Sequence, residues 1–222
     1  MQIEAFRKCQ AVTGIFFSIF LFLHLFNHTF VLLGEDNYNN VLIQVRKIYQ
    51  NIFFEITLVS SILIHIFCAL TLWIKRKKRK IKEPILTTLF RWSGWFLMFI
   101  LPIHFYYGRI SPKIYKIEVD FAYSAYTLSI LKKLFFPYYF FFTSFAIIHL
   151  IVGFTKSLEI LKFKTINLKL SFLHYLFSFL MIVLMVFVLL AYGGFFYEID
   201  KYSQFTKLGE YFDKIGNYEY FK

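Results

Sequence analysis

Residues that stabilise small secreted folds or cradle phosphate groups are scarce in this chain. Its 222 residues include only 2 cysteines, 4 prolines and 9 glycines. Cys9 and Cys68 form no Cys-x-x-Cys-His motif, which excludes ordinary covalent attachment of a c-type haem, and nothing indicates a disulfide framework. No Gly-rich phosphate loop or hydrolase motif is present, so the sequence does not predict nucleotide binding or hydrolysis.

Long apolar runs, by contrast, are abundant. Hydrophobic residues make up 59% of the chain and aromatic residues 23%, which is more apolar surface than a soluble domain of this length can bury. Five stretches reach the length of about 20 residues that spans a bilayer core: 11–33, 52–74, 85–107, 134–155 and 170–196. The first is too long for a signal peptide and carries His24, Asn27 and His28. We therefore predict an all-α membrane protein with five transmembrane helices.

Acidic residues number only 13 against 25 lysines and arginines, and the basic residues act as topology signals. The run KRKKRKIK at 75–82 joins the second and third spans and marks the cytoplasmic side by the positive-inside rule. That side then holds 14 of the 25 basic residues and 3 of the 13 acids. We expect a bacterial inner-membrane protein with a cytoplasmic N-terminus and an external C-terminus. Its partner would be the lipid bilayer, and no nucleic-acid motif is present.

The connections and the tail complete the predicted organisation. Residues 1–196 form one membrane domain, and residues 197–222 form a polar and aromatic tail on the outer side, which either caps the outer face or is disordered. In the outer connection 34–51, the sequence GEDNYNN predicts a turn. The outer connection 108–133 is long enough for a short helix on the membrane surface.

Histidines inside the spans are the strongest functional signal. One lies in the middle of each of the first four spans: His24, His65, His104 and His149. With a rise of about 1.5 Å per residue, His24 and His104 lie roughly 20 Å from the cytoplasmic end of their helices, and His65 and His149 roughly 10–15 Å. The four histidines therefore form two levels, each with two histidines from different helices.

Two such levels are what two bis-histidine haems in a four-helix bundle require, because each iron takes one axial nitrogen from either side. Gly14 and Gly94 lie about 15 Å deeper than the outer histidines, at the inner level, where a helix without a side chain lets a flat macrocycle approach. The alternatives are an interhelical hydrogen bond for each histidine and small-residue packing for each glycine. A zinc site fits less well, since it needs three or four ligands at one level.

With these features the chain resembles the di-haem cytochrome b subunit of succinate dehydrogenase and fumarate reductase, the single-chain bacterial type with five helices. The segments that carry the resemblance are QAVTGIFFSIFLFLHLFNH (10–28), LIHIFCALTLW (63–73), FRWSGWFLMFILPIH (90–104) and IIHLIVGF (147–154). The similarity extends from about residue 5 to residue 194 and leaves the tail without a counterpart.

The resemblance implies an electron-relay subunit that performs no carbon chemistry itself. His65 and His149 would be the axial ligands of a proximal b-type haem, and His24 and His104 those of a distal one. A flavoprotein and an iron–sulfur protein would dock on the cytoplasmic face. A quinone, menaquinone or ubiquinone, would react near the distal haem, and the sequence decides neither the quinone type nor the direction of the reaction.

Other polar residues of the spans receive weaker assignments. His28, one helical turn beyond His24, is expected to serve the surroundings of the distal haem, the quinone pocket or a hydrogen bond, and not the iron. His174 is expected to have a structural or propionate-contacting role, and Arg91 a propionate-contacting or partner-docking one. Residues near the level of a quinone, among which the sequence does not choose, are Glu55, Arg46, Tyr106 and Tyr107.

Rival functions stay open at this stage. A cytochrome b subunit of a hydrogenase or formate dehydrogenase would share the haems and the quinone but dock on a different soluble partner. A membrane transporter would use the intramembrane histidines for a metal ion or a proton and would be colourless. A structural anchor that has lost its haems is a third alternative, against which the retained intramembrane histidines argue.

Overall fold

The structure, a computed structural model, describes residues 2–75, 85–130, 132–163, 172–199 and 205–216. These residues are almost entirely helical, and no strand occurs among them. In chain order the helices are α1 (Gln2–Thr29), α2 (Glu35–Tyr49), α3 (Ile52–Ile74), α4 (Ile85–Phe105), α5 (Ser111–Tyr115), α6 (Phe121–Ser129), α7 (Lys132–Ile160), α8 (Phe172–Tyr192) and α9 (Phe205–Gly216).

Among the described residues, five helical segments are long and apolar enough to cross a membrane, with mean hydropathies from 1.3 to 2.6. They are α1 with the short 3₁₀ turn that follows it, α3, α4 continued through a π-helical segment into α5, α7, and α8. The prediction of an all-α membrane protein with five spans is therefore confirmed at the level of length and composition. The last span ends at Tyr192, because Gly194 adopts φ +78° and the Phe195 N–H turns back to the Leu190 carbonyl.

The five long helices alternate in direction. Lys75 at the end of α3 lies with its Nζ 5.3 Å from the centre of the Phe6 ring near the start of α1. Lys156 near the end of α7 lies 4.8 Å from the Phe90 ring near the start of α4. We call the end of the bundle where α1 begins the lower end, and the opposite end the upper end. Most of the basic run at 75–82 lies outside the described residues.

Four of the long helices make a bundle and the fifth lies beside it. Helix α1 packs against α3 and α7, α4 packs against α7, and α8 packs against α7 and α1. The connected core of buried residues takes members from α1, α2 and α6–α9. Within the described part of the chain, α3 and α4 contribute no residue to that core. The connected core thus lies mainly around α8 and the upper end, and the buried residues of α3 and α4, among them Cys68 and Leu86, lie outside it.

In the outer connection 34–51, residues 35–49 form the helix α2 at the upper end. The prediction of a turn in the sequence GEDNYNN is therefore wrong except at Gly34. Gly34 makes the sharp change of direction with φ +100°, and α2 begins directly after it. Acidic Glu35 and Asp36 lie in the first turn, where the helix dipole favours negative charge. Tyr38 and Leu42, four residues apart, bury one face of α2. Burial of that face outweighs the local turn preference of the Asn-rich sequence.

The rest of the upper end is a cap of short helices. The outer connection 108–133 contains α5, which continues the third candidate span, and the short helix α6; one short helix was predicted here, and its position on a membrane surface stays a prediction. Helix α9 of the tail packs against α6. Tyr126 and Phe212 stack with ring centroids 5.3 Å apart, and the Tyr211 hydroxyl donates to Ser111 Oγ at 2.9 Å. Residues 205–216 of the tail therefore cover the upper end.

Candidate functional site

The four histidines predicted as a group meet in twos. His65 of α3 faces His149 of α7 with ring centroids 6.4 Å apart and ring planes at 80°. His24 of α1 faces His104 of α4 with centroids 6.2 Å apart and planes at 76°. We call these the lower pair and the upper pair. They are the combinations that helical depth predicted, and along α1 their levels differ by about 15 Å.

The spacing within each pair distinguishes two kinds of contact. Two imidazoles joined by a direct hydrogen bond have ring centroids about 5 Å apart. Two imidazoles that bind one metal ion from opposite sides, each with a nitrogen about 2 Å from it, have centroids about 6 Å apart. The observed 6.2 and 6.4 Å match the second arrangement. The spacing of each pair therefore leaves room for one ion between its two rings.

The neighbours of His65 determine which of its nitrogens carries the proton. Its Nδ1 lies 3.1 Å from the carbonyl oxygen of Gln10 and 3.3 Å from Thr13 Oγ1. A carbonyl can only accept a hydrogen bond, so Nδ1–H is the donor. The Thr13 hydroxyl donates its own proton to the Cys9 carbonyl at 2.9 Å, which leaves a lone pair for Nδ1–H. The other nitrogen, Nε2, is consequently free to bind a metal.

His149 has the same environment, supplied by the other half of the bundle. Its Nδ1 lies 3.1 Å from Ser93 Oγ and 3.4 Å from the Phe90 carbonyl oxygen. The Ser93 hydroxyl donates to that carbonyl at 2.7 Å, so it also accepts from Nδ1–H. Sequence reasoning singled out Gly14 and Gly94 but missed the hydroxyl side chains next to them. The signal was available, because Thr13 and Ser93 directly precede these two glycines.

Gly14 and Gly94 lie at the level of the lower pair, and each faces one of its rings. A Cβ on Gly14 would come within 3.1 Å of His65 Cε1, and one on Gly94 within 3.1 Å of His149 Cε1. The glycines therefore let each imidazole approach the neighbouring helix closely enough to reach the hydroxyl and the carbonyl. Contact of these glycines with a macrocycle stays a prediction.

The upper pair has a different environment. In the described ranges no hydrogen bond reaches a ring nitrogen of His24 or His104; His24 stacks on Phe20 and His104 contacts Phe142. The third histidine, His28, lies edge-on to His24 with centroids 4.8 Å apart. Its Nδ1 is 2.8 Å from the Tyr192 hydroxyl of α8. His28 is thus held by α8, whereas His24 faces His104.

Polar groups of the upper cap lie next to His28 and along α2. The Tyr38 ring lies 5.7 Å from His28 and 5.6 Å from Tyr192. Burial raises the pKa of the Tyr38 phenol to about 12. Arg46, also on α2, donates from Nη2 to the carbonyl of Val119. Sequence reasoning missed Tyr38 and Tyr192, which resemble ordinary interfacial tyrosines when the fold is unknown.

The remaining candidates do not join either pair. His174 Nε2 lies 3.1 Å from Thr155 Oγ1, at the edge of an apolar cavity of about 500 Å³ between α1, α7 and α8. Arg91 is exposed at the lower end. Glu55 accepts two bonds from Arg109, at 2.7 and 3.0 Å, and this ion pair lines a cavity of about 340 Å³ at the upper end. Sequence reasoning missed Arg109 because a π-helical segment turns it toward Glu55.

Comparisons of the chain with family models, with curated proteins and with solved structures find no match. The fold and the candidate site alone define the class of this protein. It is a multi-pass helical membrane protein with two intramembrane histidine pairs, one above the other.

Proposed function

We propose that this chain is the membrane-anchoring, di-haem cytochrome b subunit of a succinate dehydrogenase or fumarate reductase. It would relay electrons between an iron–sulfur subunit and quinone. The proposal depends above all on the two histidine pairs, whose ring spacings of 6.2 and 6.4 Å suit axial ligation of iron. The resemblance of the sequence to that family supplies the particular complex.

The packing of the bundle is a second argument for a large flat group bound beside each histidine pair. Protein interiors are normally filled by side chains to the density of organic crystals. Here the connected core lies around α8 and the upper cap, and the described residues of α3 and α4 take no part in it. The absence of α3 and α4, which carry His65 and His104, from that core is compatible with a large group bound between the four helices.

The residues of the lower pair have defined tasks in this proposal. His65 and His149 would hold the iron through Nε2. Thr13, Ser93 and the two carbonyls would orient the rings and keep the proton on Nδ1. Such bonds increase the basicity of the coordinating nitrogen. Bound haem would supply a one-electron Fe(III)/Fe(II) couple, which these bonds tune toward the oxidised state.

The distribution of charge supports an assignment of sides. By the positive-inside rule the lower end faces the cytoplasm, so the lower pair would lie closest to the flavoprotein and the iron–sulfur protein. The upper pair would then lie toward the outer surface, near the quinone. Moving one charge across the whole membrane is worth about 2.3 kcal/mol per 100 mV, so two levels of electron carriers would couple the reaction to the membrane potential.

A pyridine haemochrome assay on the purified chain tests the proposal directly. We expect two b-type haems per chain, and none in a variant that carries both His65→Ala and His24→Ala. One haem per wild-type chain would contradict the two-level arrangement. A colourless, well-folded chain would contradict the haem proposal and favour a transporter.

Co-purification from the native membrane tests the choice of complex. A partner with covalently bound flavin and an iron–sulfur protein supports the proposed assignment. A partner that contains nickel or molybdenum would assign the chain to a hydrogenase or formate dehydrogenase instead.

A further inference from the structure

Arg46 has one hydrogen-bond donor without an acceptor. Its Nη2 donates to the Val119 carbonyl, which ties α2 to the segment before α6. Its Nε, in contrast, is buried from solvent and has no hydrogen-bond partner among the described residues. Leaving a buried donor unsatisfied costs roughly 1–3 kcal/mol, and more when the donor group is charged. In the described part of the chain, Nε–H therefore lacks the acceptor that its burial calls for.

The cation of Arg46 also lacks a counter-ion in the described part of the chain. The ion pairs found there join Lys8 to Glu4 and Arg109 to Glu55. Asp120, the residue after Val119, uses its carboxylate to accept from the Tyr123 N–H at the start of α6. Buried charges in proteins are normally paired.

The comparison with Arg109 shows what is missing. Both arginines lie at the upper end, and Arg109 satisfies its Nε and an Nη with the two oxygens of Glu55, at 2.7 and 3.0 Å. A planar guanidinium fork suits an oxygen anion of this kind. Arg46 offers the same fork with no carboxylate in place.

The position of Arg46 indicates where its missing acceptor belongs. The residue lies on α2 between Tyr38, whose ring is 5.7 Å from that of His28, and Tyr49, whose ring is 5.5 Å from that of Phe20. Phe20 in turn stacks on His24. Arg46 therefore belongs to the part of the cap, formed by α2, that lies beside the upper pair. An acceptor at that place would be part of whatever the upper pair holds or faces.

We propose that Arg46 is the binding residue for an acceptor oxygen of a ligand seated at the upper histidine pair. The inference rests on the proposed function, which offers two sources of such an oxygen. One is a carboxylate of the upper haem, and the other is a quinone carbonyl, which gains negative charge on reduction. Both are oxygen acceptors that carry or gain negative charge, and a buried N–H of a cation forms its strongest hydrogen bonds with such acceptors.

Three variants of the intact complex test this inference. Arg46→Gln removes the charge and the fork, Arg46→Lys keeps the charge but removes Nε–H, and Lys47→Gln removes an exposed positive charge next along α2 as the control. For each variant we would measure the haem content, the midpoint potential of each haem and the KM for a short-chain quinone.

The two sources give different results. If the oxygen belongs to the haem, Arg46→Gln lowers the midpoint potential of the upper haem by about 59 mV, which is a tenfold change in its oxidised-to-reduced ratio, and KM stays constant. If the oxygen belongs to quinone, KM rises about tenfold and both potentials stay constant. In either case Arg46→Lys gives a smaller change in the same direction, and Lys47→Gln behaves as wild type.

Other outcomes overturn the inference. If Arg46→Gln has the midpoint potentials and the KM of the wild type, Arg46 binds no ligand. A lower thermal stability of that variant would then show only that Arg46 stabilises the fold through its bond to Val119. If Arg46→Gln does not fold, Arg46→Lys decides, because wild-type behaviour of that variant shows that Nε–H has no ligand. A wild-type complex without haem would contradict the proposed function, and this inference with it, before any variant is compared.

Discussion

The lower and the upper histidine pair have nearly equal spacings and very different surroundings. Each histidine of the lower pair is bonded through Nδ1 to a carbonyl and a hydroxyl of a neighbouring helix. Among the described residues, the upper pair has no such bond and contacts aromatic rings and His28 instead. Its polar neighbours, Tyr38 and Arg46, belong to the cap and not to the bundle.

This difference separates two requirements of a relay. A carrier that only passes electrons benefits from rigid, preorganised ligands, since a fixed ring needs no rearrangement. A site that also meets a diffusible partner needs polar groups that a ligand can engage. Under the proposed function, the lower pair would have the first character and the upper pair the second. Four measurements test whether the two histidine pairs differ in this way, from the largest expected effect to the smallest.

The largest effect concerns which histidine of α1 belongs to the upper pair. His24→Ala should remove one of two haems, because it deletes the ring that faces His104, whereas His28→Ala should retain both. Haem stoichiometry by pyridine haemochrome measures the difference. Loss of a haem only in His28→Ala would transfer the ligand role to His28.

The next effect tests the close approach at the lower pair. Gly14→Ala and Gly94→Ala should each weaken binding of the lower haem, because the new Cβ presses on a histidine ring at 3.1 Å. Overpacking of this kind costs about 1–3 kcal/mol. Gly108→Ala is the control, since a Cβ there meets no atom within 4 Å. In redox titrations of Gly14→Ala and Gly94→Ala, the midpoint potential and amount of the upper haem should be unchanged. Equal loss of both haems in these variants would show that the effect is not local to the lower pair.

Alkaline pH should affect the upper region before the lower one. The Tyr38 phenol has its pKa raised to about 12 by burial, so its neutral form stabilises the fold. That contribution is present below about pH 10 and is lost as the pH rises toward 12; the full shift is worth about 2–3 kcal/mol. The upper haem spectrum should change first above pH 10. Tyr38→Phe should weaken this alkaline transition, and an unaltered transition would show that other groups cause it.

The smallest effect concerns the hydroxyls of the lower pair. Thr13→Val and Ser93→Ala should raise the midpoint potential of the lower haem, because each removes one acceptor from Nδ1–H while the carbonyl remains. One hydrogen bond of about 1 kcal/mol corresponds to roughly 40 mV for one electron. Thr57→Val, which removes an exposed hydroxyl bonded within α3, is the control. A shift of the upper haem instead would reverse the assignment of levels.

Several site features could be predicted from local sequence and helix geometry. Apolar runs of about 20 residues locate the spans, because the thickness of the bilayer sets their length. The constant rise of a helix converts residue number into depth, so the pairing of His65 with His149 and of His24 with His104 followed from counting. The ligand role of these four residues stays a prediction that haem analysis must test.

Other features depend on contacts between segments distant in the chain. The helix α2 forms where the sequence suggests a turn, since it buries Tyr38 against Phe121 of α6 and Tyr192 of α8, which are distant in the chain. The ion pair of Glu55 with Arg109 needs the π-helical segment 106–110 to aim the guanidinium. Neither feature can be predicted from a few consecutive residues of the sequence.

By itself the sequence determined the membrane class, the number of spans and the depth of each histidine, because hydropathy and helical rise are local properties of the chain. Tertiary structure alone decided that Nδ1 of His65 and of His149 bonds to a neighbouring helix, and that Nε of Arg46 has no partner among the described residues. Those outcomes depend on how each helix is rotated about its axis. That rotation is set by the packing of neighbouring helices, since only contact between them determines which face of each helix is buried.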